Sequence, residues 1–317
     1  MRAQTILEAI GHTPLVRLSR IVDGNHAEIW AKAEFLNPSG SLKDRIALRM
    51  IEGAEADGRL RSGGAIVEAS TGNTGIALAL VGAVKGYRVR IYMPDTLAQS
   101  ERAKLMTAYG AEIVAVDVHR EAAARDPSMH GGMVEVVPRI LCREAERASP
   151  GTWWARQFSN PDNVLAHRDG TGGEIVEQLP GPAAAFTASV GTGGTLLGIG
   201  LALRARWPQT RVVAVEPAGD TLLGRSDYPL IEGITDGILL DLRAQGMAAH
   251  LQLIKDEDAI NMAHRLAEEE GLACGVSGGA NVLAALAVAR QLAPGNRVVT
   301  VLPDSRDRYL ATERYIT

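Results

Sequence analysis

The chain has 317 residues, 46% of them hydrophobic and 22% charged, which is typical of a globular protein with one large domain or two of ordinary size. Its formal net charge of −4 gives no electrostatic basis for binding nucleic acid or an anionic membrane. The two cysteines, Cys142 and Cys274, are far apart and show no CxxC spacing, which argues against a disulfide scaffold and against a structural zinc site.

The N-terminal stretch "MRAQTILEAIGHTPLVRL" has charged and polar residues where a secretion signal needs an apolar segment. No run of 18 or more uninterrupted apolar residues follows, so no membrane-spanning helix is expected. These features predict a cytoplasmic enzyme.

Most of the chain alternates short β-rich runs with longer helical runs. The apolar residues of the short runs are contiguous, which favours strands that are covered on both faces. Strands separated by helices of ten or more residues indicate βαβ units and parallel sheets. Strands are predicted at 65–70, 89–94, 112–117, 184–190, 211–217 and 297–303, with a helix after 73 and another around 132–148.

The stretch "HREAAARDPSMHGG" at 119–132 is predicted to be a loop or a mobile connection. Three strand–helix units precede residue 150 and at least three follow it. The sequence therefore predicts two α/β lobes.

Four turns rich in glycine, serine and threonine occur where helices are predicted to begin. In parallel sheets, ligands bind at the carboxyl ends of the strands, so these turns are the candidate site. Each turn alone could equally be a helix cap, because Ser, Thr and Asn cap N-termini and glycine permits the turn. The four are "PSGSLKDR" (38–45), "EASTGNTG" (68–75), "SVGTGGTLLG" (189–198) and "GVSGGAN" (275–281).

The turn "GTGGT" is the most typical of a phosphate site, because its glycines expose backbone N–H groups and its threonines add hydroxyl donors at a helix N-terminus. It is not a complete GxGxxG fingerprint, since Leu196 takes the third glycine position. A dinucleotide site remains an alternative, because Glu216 ends the next predicted strand, where a ribose-binding carboxylate could lie. The turn comprises Gly191, Thr192, Gly193, Gly194 and Thr195.

Lys43 stands at the start of a predicted helix, where the macrodipole favours negative charge. A solvated lysine paired with Asp44 is the ordinary interpretation. If the phosphate belonged to pyridoxal 5′-phosphate (PLP), however, Lys43 could bind the cofactor aldehyde and later act as the base at the substrate's α-carbon. Partial desolvation near a helix N-terminus would lower its pKa and favour the neutral amine.

The ordered motifs resemble one enzyme family over nearly the whole chain. "NPSGSLKDR", "STGNTGIALA", "SVGTGGTLLG", "GVSGGAN" and "LPDSRDRYL" occur in the order and at the spacings of fold-type II PLP enzymes, specifically the group of cysteine synthase (O-acetylserine sulfhydrylase) and cystathionine β-synthase. "IGHTPLVRL" and "RQFSNPDN" are similar too.

The resemblance implies an α/β fold with two lobes like that of the tryptophan synthase β subunit, with parallel-rich sheets flanked by helices. Residues 1–38 and 150–317 would form the larger lobe, which binds the cofactor phosphate. Residues 39–149 would form a smaller mobile lobe that carries the substrate-carboxylate loop.

The resemblance also implies site residues. Lys43 would be the catalytic lysine that holds PLP, and Ser305 or Asp304 would face the pyridine nitrogen, with Ser305 the preferred candidate. The other cofactor-binding residues would be Asn73, Gly191, Thr192, Gly193, Gly194 and Thr195, and the substrate would contact Ser70, Thr71, Gly72, Asn73, Thr74, Gln157 and Gly233.

The implied reaction is β-replacement on an O-activated L-serine, namely O-acetylserine with sulfide to give L-cysteine through an aminoacrylate. Asn73-Thr74 favours it, because related dehydratases and racemases usually have Asn-His there. Thr71 departs from the usual serine and adds a methyl group beside the substrate.

Several alternatives stay open from the sequence. The donor could be O-phosphoserine, the nucleophile could be homocysteine or an amine, and "GTGGT" could serve an NAD-type dehydrogenase. The resemblance further implies a homodimer and a serine acetyltransferase partner. No metal is expected.

Overall fold

The computed structural model describes residues 2–22, 24, 26–125, 136–219 and 237–309. Two parallel-rich sheets flanked by helices confirm the predicted α/β class. The strands are Leu15–Leu18 (β1), Glu28–Ala33 (β2), Ala65–Ala69 (β3), Arg88–Pro94 (β4), Glu112–Val116 (β5), Thr152–Trp154 (β6), Ala185–Ser189 (β7), Arg211–Pro217 (β8), Leu251–Ile254 (β9) and Arg297–Leu302 (β10).

The helices connect these strands and cover the sheets. A π-helical segment, Ala166–Gly172, interrupts the helices that precede β7. The α-helices are Lys43–Ala56 (α1), Asn73–Lys85 (α2), Glu101–Ala108 (α3), Val118–Arg125 (α4), Val137–Ala148 (α5), Pro161–Leu165 (α6), Gly173–Gln178 (α7), Gly194–Arg206 (α8), Gly237–Ala244 (α9), Asp256–Glu270 (α10) and Val276–Ala289 (α11).

The described chain divides into two compact units. Of the described residues, the larger unit holds 11–22, 24, 26–42, 164–219 and 238–309, and the smaller unit holds 2–10, 43–125, 136–163 and 237.

The larger unit is built on a six-stranded sheet in the order β1-β2-β10-β7-β8-β9, in which every neighbouring pair is parallel except β1 with β2. Successive side chains of a strand point to opposite faces. Accordingly, Val298 and Leu302 of β10 join the hydrophobic cluster under α10 and α11, while Val299 and Val301 join the cluster under α8. Helices on both faces therefore explain the contiguous apolar runs.

The smaller unit contains a four-stranded parallel sheet in the order β5-β4-β3-β6. All five residues of β3 are buried, and α2 buries nine of its residues, from Thr74 to Gly82. The carboxyl end of β3 therefore leads directly from a buried strand into a buried helix, which fixes the position of the turn between them.

All six predicted strands are present, within one or two residues of their predicted ends. The pair β1–β2 and the strand β9 were not predicted, because the patterns of these short runs are weak. The end of the smaller unit also differs from the boundary expected at 149. Strand β6 pairs in parallel with β3, from Ala65 with Thr152 to Val67 with Trp154, so the smaller unit continues to residue 163.

The loop prediction at 119–132 is wrong for its first part, because α4 spans Val118–Arg125. Alanine, glutamate and arginine are strong helix formers. Asp117 also caps this helix, since its carboxylate accepts a hydrogen bond from the backbone N–H of Arg120 at 3.0 Å. Residues 126–135 lie outside the described part of the chain.

None of the helices in the described ranges is both long and apolar enough to cross a bilayer. Within the same ranges, no cluster of three or more His, Cys, Asp or Glu side chains is arranged to hold a metal ion.

A buried ion pair holds the start of the larger unit together. Lys32 on β2 is fully buried, and its Nζ lies 2.6 Å from Glu174 Oε2, 2.5 Å from the carbonyl oxygen of Thr13 and 2.8 Å from Gln178 Oε1. Glu174 Oε1 in turn accepts a hydrogen bond from the backbone N–H of His12 at 2.8 Å. The pair therefore fixes the "GHTP" segment against α7.

Replacing Glu174 with Ala should lower the free energy of unfolding by about 3–5 kcal/mol, because it leaves a buried ammonium without its counter-ion. Urea denaturation measures the change. Glu112→Ala is the matched control, since it breaks the largely exposed pair of Arg90 with Glu112 and should cost much less. Equal losses in the two variants would contradict the structural role of Glu174.

Candidate active site

The backbone just before Lys43 is held by the segment that follows β10. The N–H of Leu42 donates to the carbonyl of Pro303 at 2.8 Å, and the N–H of Ser305 donates to the carbonyl of Gly40 at 3.0 Å. Ser41 and Asp304 form an antiparallel bridge between these contacts. The residues that directly precede Lys43 are therefore held by backbone hydrogen bonds to a part of the chain that is distant in sequence.

Lys43 is the first residue of α1 and is half-buried, while the next residue, Asp44, is fully buried. A solvated surface lysine beside a solvated aspartate is therefore not what the structure shows. The helix is anchored in the core of the smaller unit by Ile46, Met50 and Ile51, each fully buried. The backbone from which the Lys43 side chain extends therefore belongs to a firmly packed helix.

The predicted carboxylate loop connects β3 to α2. The Ser70 hydroxyl accepts hydrogen bonds from the N–H groups of Gly72 at 3.2 Å and Gly75 at 3.0 Å, which folds the loop back over the start of α2. Thr71 is exposed, and Asn73 is half-buried as the first helical residue. The first turn of α2, all of it described, carries no acidic residue, so its dipole can attract a carboxylate.

Gln157, which the family resemblance implies is a substrate contact, is hydrogen-bonded to this loop and to the strand before it. The Thr74 hydroxyl donates to Gln157 Oε1 at 2.7 Å, and Gln157 Nε2 donates to the carbonyl of Ala69 at 2.9 Å. Both side chains are buried. A direct hydrogen bond therefore couples the loop after β3 to the segment after β6.

Glu68 is a residue of this site that sequence reasoning missed. Its carboxylate is 1% exposed and accepts hydrogen bonds from the N–H groups of Ala69 at 2.8 Å and Gln157 at 2.9 Å, and from the Trp154 indole at 3.0 Å. The signal available in the sequence was a single acidic residue inside the otherwise apolar run "AIVEAS". A charge at such a position must be satisfied by hydrogen bonds.

Burial raises the pKa of Glu68 above its usual 4.5, although the hydrogen bonds from Trp154, Gln157 and Ala69 act in the opposite direction. The Glu68 carboxylate therefore holds the backbone of Gln157 in place at the cost of its own desolvation. Such a cost is common where an orientation matters for function.

The predicted phosphate turn lies in the larger unit, between β7 and α8. Gly193 precedes the helix with φ = +86°, a conformation that glycine adopts without strain. A Cβ atom at Gly191 would meet no heavy atom within 4 Å, so this glycine borders open space. The Thr192 hydroxyl accepts from the N–H of Gly194 at 3.3 Å, and the Thr195 hydroxyl lies 3.2 Å from His167 Nε2.

The donor set of this turn fits a phosphate. The first N–H groups of a helix have no intrahelical acceptor, and two hydroxyl groups lie among them. The first turn of α8, which is fully described, carries no acidic side chain that would repel an anion. Residues 191–195 can therefore hold the phosphate of PLP.

The segment after β10 contains both candidates for the partner of the pyridine nitrogen. Asp304 is 2% exposed, and its Oδ2 accepts a hydrogen bond from the Tyr309 hydroxyl at 2.7 Å. Ser305 is half-buried and forms an antiparallel bridge with Cys274. Because the Asp304 carboxylate is engaged by Tyr309, the geometry is consistent with Ser305, which stays a prediction.

Cys274 is fully buried, and burial, with a smaller contribution from the charge of Asp304, raises the pKa of its thiol to about 12. It is a packing residue at neutral pH, since the thiolate is the reactive form. Gly233 lies outside the described residues. Glu216, on which the dinucleotide alternative depended, is 2% exposed on β8.

The family model described as "Pyridoxal-phosphate dependent enzyme" matches residues 6–304. The chain is 39% identical over 313 residues to "Cysteine synthase" of Staphylococcus aureus strain Mu50, covering 98% of this chain and 96% of the relative. Its fold is similar to a crystal structure of cysteine synthase from Entamoeba histolytica, at a TM-score of 0.85 and 34% identity, covering 100% of this chain and 92% of the other. It is also similar to a crystal structure of O-ureido-L-serine synthase, at a TM-score of 0.84 and 35% identity, covering 99% and 96%.

The pH dependence of the free energy of unfolding should reveal the raised pKa of Glu68. A folded-state pKa above 4.5 means that its contribution is present below pH 4.5 and is lost as the pH rises through the folded-state pKa. The difference in the free energy of unfolding between the native protein and Glu68→Gln, measured by urea denaturation across a pH series, should therefore fall as the pH rises.

Glu55 is a control for which the opposite pH dependence of stability is expected, because its pKa is lowered. Burial acts to raise its pKa, but hydrogen bonds from Lys85 and Tyr87 lower it below 4.5. Its contribution should therefore be lost as the pH falls, and the corresponding difference for Glu55→Gln should rise with pH. The interpretation of Glu68 is refuted if both differences rise with pH.

Proposed function

The chain belongs to the family of pyridoxal-phosphate-dependent enzymes, and on that basis we propose that it makes L-cysteine from O-acetyl-L-serine and sulfide by β-replacement. The observation that carries the proposal is the identity of 39% with a cysteine synthase over 98% of the chain, which includes every motif of the site. The family match also decides against the NAD-type dehydrogenase, because residues 191–195 and Glu216 lie inside the matched range.

When bound, PLP supplies an electron sink that makes the α-proton of an attached amino acid removable. The chain's own residues then have separable tasks, which we propose from their positions. Lys43 holds the cofactor aldehyde and accepts the α-proton at its Nζ, and residues 191–195 bind the phosphate. Ser305 offers a neutral hydroxyl to the pyridine nitrogen, which favours loss of a β-substituent over a long-lived carbanion.

The loop from Ser70 to Thr74 is proposed to bind the substrate α-carboxylate at the N-terminus of α2. Gln157 can assist, because Thr74 and Ala69 hold its side-chain amide and Glu68 holds its backbone N–H. The exposed Thr71 and half-buried Gly72 and Asn73 form the accessible surface of this loop. All candidate donors carry this α-carboxylate, because they differ only in the group on the β-oxygen.

The second candidate is a related β-synthase with a different donor or nucleophile. The similarity to O-ureido-L-serine synthase, at 35% identity over nearly the whole chain, favours keeping this alternative. O-phosphoserine as donor, and homocysteine or an amine as nucleophile, belong to the same class of reaction. Gly233, which would lie at the mouth of the site, falls in the undescribed range 220–236.

A homodimer, a serine acetyltransferase partner and a cytoplasmic location are proposed from the family resemblance alone. Light scattering tests the dimer, co-elution with the acetyltransferase tests the partner, and cell fractionation tests the location.

A screen of donors against nucleophiles tests the proposal. O-acetyl-L-serine with sulfide should give L-cysteine, identified by mass spectrometry, at a higher kcat/KM than O-phosphoserine or than homocysteine as nucleophile. Lys43→Ala should lower turnover by several orders of magnitude, while Lys104→Ala, which removes an exposed lysine of the same unit, should not. Retained turnover in Lys43→Ala would contradict the catalytic role of Lys43. A preference for another pair of donor and nucleophile would favour the second candidate.

The contact between Thr74 and Gln157 predicts an effect on substrate binding. Thr74→Val removes the hydroxyl that holds the Gln157 amide, so we expect the KM for O-acetyl-L-serine to rise by roughly tenfold. Thr74→Ser keeps the hydroxyl and should remain close to the native value. Steady-state kinetics measure both, and equal KM values in the two variants would contradict the role of the hydroxyl.

A further inference from the structure

A buried histidine lies behind the predicted phosphate turn of the larger unit. His167 is fully buried in the π-helical segment Ala166–Gly172, and both of its ring nitrogens face threonine hydroxyls. Its Nε2 lies 3.2 Å from Thr195 Oγ1, and its Nδ1 lies 3.0 Å from Thr171 Oγ1. The three side chains form a line that ends at the phosphate turn.

Two glycines allow the π-helical segment to approach α8 this closely. A Cβ atom at Gly198 would lie 2.5 Å from the carbonyl oxygen of Val164 and 2.7 Å from His167 Cβ. A Cβ atom at Gly172 would lie 2.5 Å from Ala202 Cβ. Real Cβ atoms do not approach other atoms so closely, so alanine at either position would push the histidine away from Thr195.

The imidazole has two hydroxyl neighbours but, when neutral, only one N–H. One of its nitrogens donates and the other accepts, so one threonine accepts a hydrogen bond from the ring and the other donates to it. If Nε2 carries the proton, it donates to Thr195, and the Thr195 proton is free to be donated elsewhere. If Nδ1 carries the proton, Thr195 donates to the ring and turns its lone pairs towards the turn.

A phosphate can accept hydrogen bonds from the turn but offers it few or no donors, so the two arrangements differ in their effect on binding. In the first, the Thr195 hydroxyl donates a charge-assisted hydrogen bond to the anion. In the second, lone pairs of Thr195 face the phosphate oxygens, which is repulsive. The first arrangement also requires Thr171 to donate to Nδ1, which its hydroxyl at 3.0 Å can do.

We infer that His167 is a positioning residue that orients the Thr195 hydroxyl towards the cofactor phosphate, and that Thr171 fixes the required tautomer of His167. The inference rests on the proposed function, because it takes residues 191–195 to bind the phosphate of PLP. It adds a chain of hydrogen bonds, in which Thr171 donates to His167 and His167 donates to Thr195, that the motifs of the sequence did not suggest.

Two substitutions of His167 separate this role from simple packing. Glutamine places an amide N–H near the position of Nε2, whereas asparagine reproduces the position of Nδ1 and cannot reach Thr195. We expect His167→Asn to weaken the binding of PLP to the apoenzyme by roughly ten- to a hundredfold. His167→Gln should remain within a few-fold of the native protein. Equilibrium titration followed by absorbance measures both.

Pyridoxal, which lacks the phosphate, is the decisive second ligand. Its affinity should be equal in the native protein and in both variants, because this chain of hydrogen bonds acts on the phosphate alone. Thr300→Val, which removes a fully buried hydroxyl from β10 of the same unit, controls for general loss of stability and should affect the two ligands equally. Equal loss of PLP and pyridoxal affinity in His167→Asn would overturn the inference.

The tautomer can be read directly in the holoenzyme. With ¹⁵N-labelled histidine, the resonances of His167 should show a protonated Nε2 and an unprotonated Nδ1, and Thr171→Val should shift the population towards the other tautomer. A protonated Nδ1 in the native holoenzyme would overturn the inference while leaving the proposed function intact. If the native apoenzyme binds no PLP at all, the proposed function and the inference fall together.

Discussion

The residues that lead into the proposed catalytic lysine are held by a short backbone pairing between two parts of the chain that are far apart in sequence. Residues 40–42 are hydrogen-bonded to residues 303–305, and the latter are paired on their other side with residues 273–275, through the N–H of Gly275 to the carbonyl of Asp304 at 2.9 Å and the N–H of Arg306 to the carbonyl of Ala273 at 3.1 Å. Backbone hydrogen bonds of this kind are directional, so they fix the backbone of residues 40–42, which directly precede Lys43. The same pairing holds the backbone of Ser305, the residue proposed to contact the pyridine nitrogen.

Buried polar groups hold the remaining parts of the site. In the smaller unit, Glu68 accepts three hydrogen bonds and fixes the backbone of Gln157. In the larger unit, His167 lies against Thr195. Both residues are buried at the cost of desolvation, and both act on a residue that is proposed to touch a ligand. This arrangement is the expected one when a site must be held in one geometry before the ligand arrives.

The sequence was sufficient for the fold class, the six main strands, the family and the turns between strands and helices, because these depend on local periodicity and on short ordered motifs. It was insufficient where a role depends on a partner distant in sequence. Glu68 and His167 carry no local signal of function, and their partners lie 89 and 28 residues away. The helix Val118–Arg125 was missed for a different reason: the Pro127 and the glycines that follow it dominated the pattern of the whole stretch.

The most direct test of this account is to trap the lysine that carries the cofactor. The purified protein, loaded with PLP, is reduced with borohydride and digested, and the peptide that gains the pyridoxyl group is identified by mass spectrometry. The account predicts that the label lies on Lys43, next to the segment that residues 303–305 hold in place. A label on another lysine, or no covalent label in a protein that binds PLP, would contradict it.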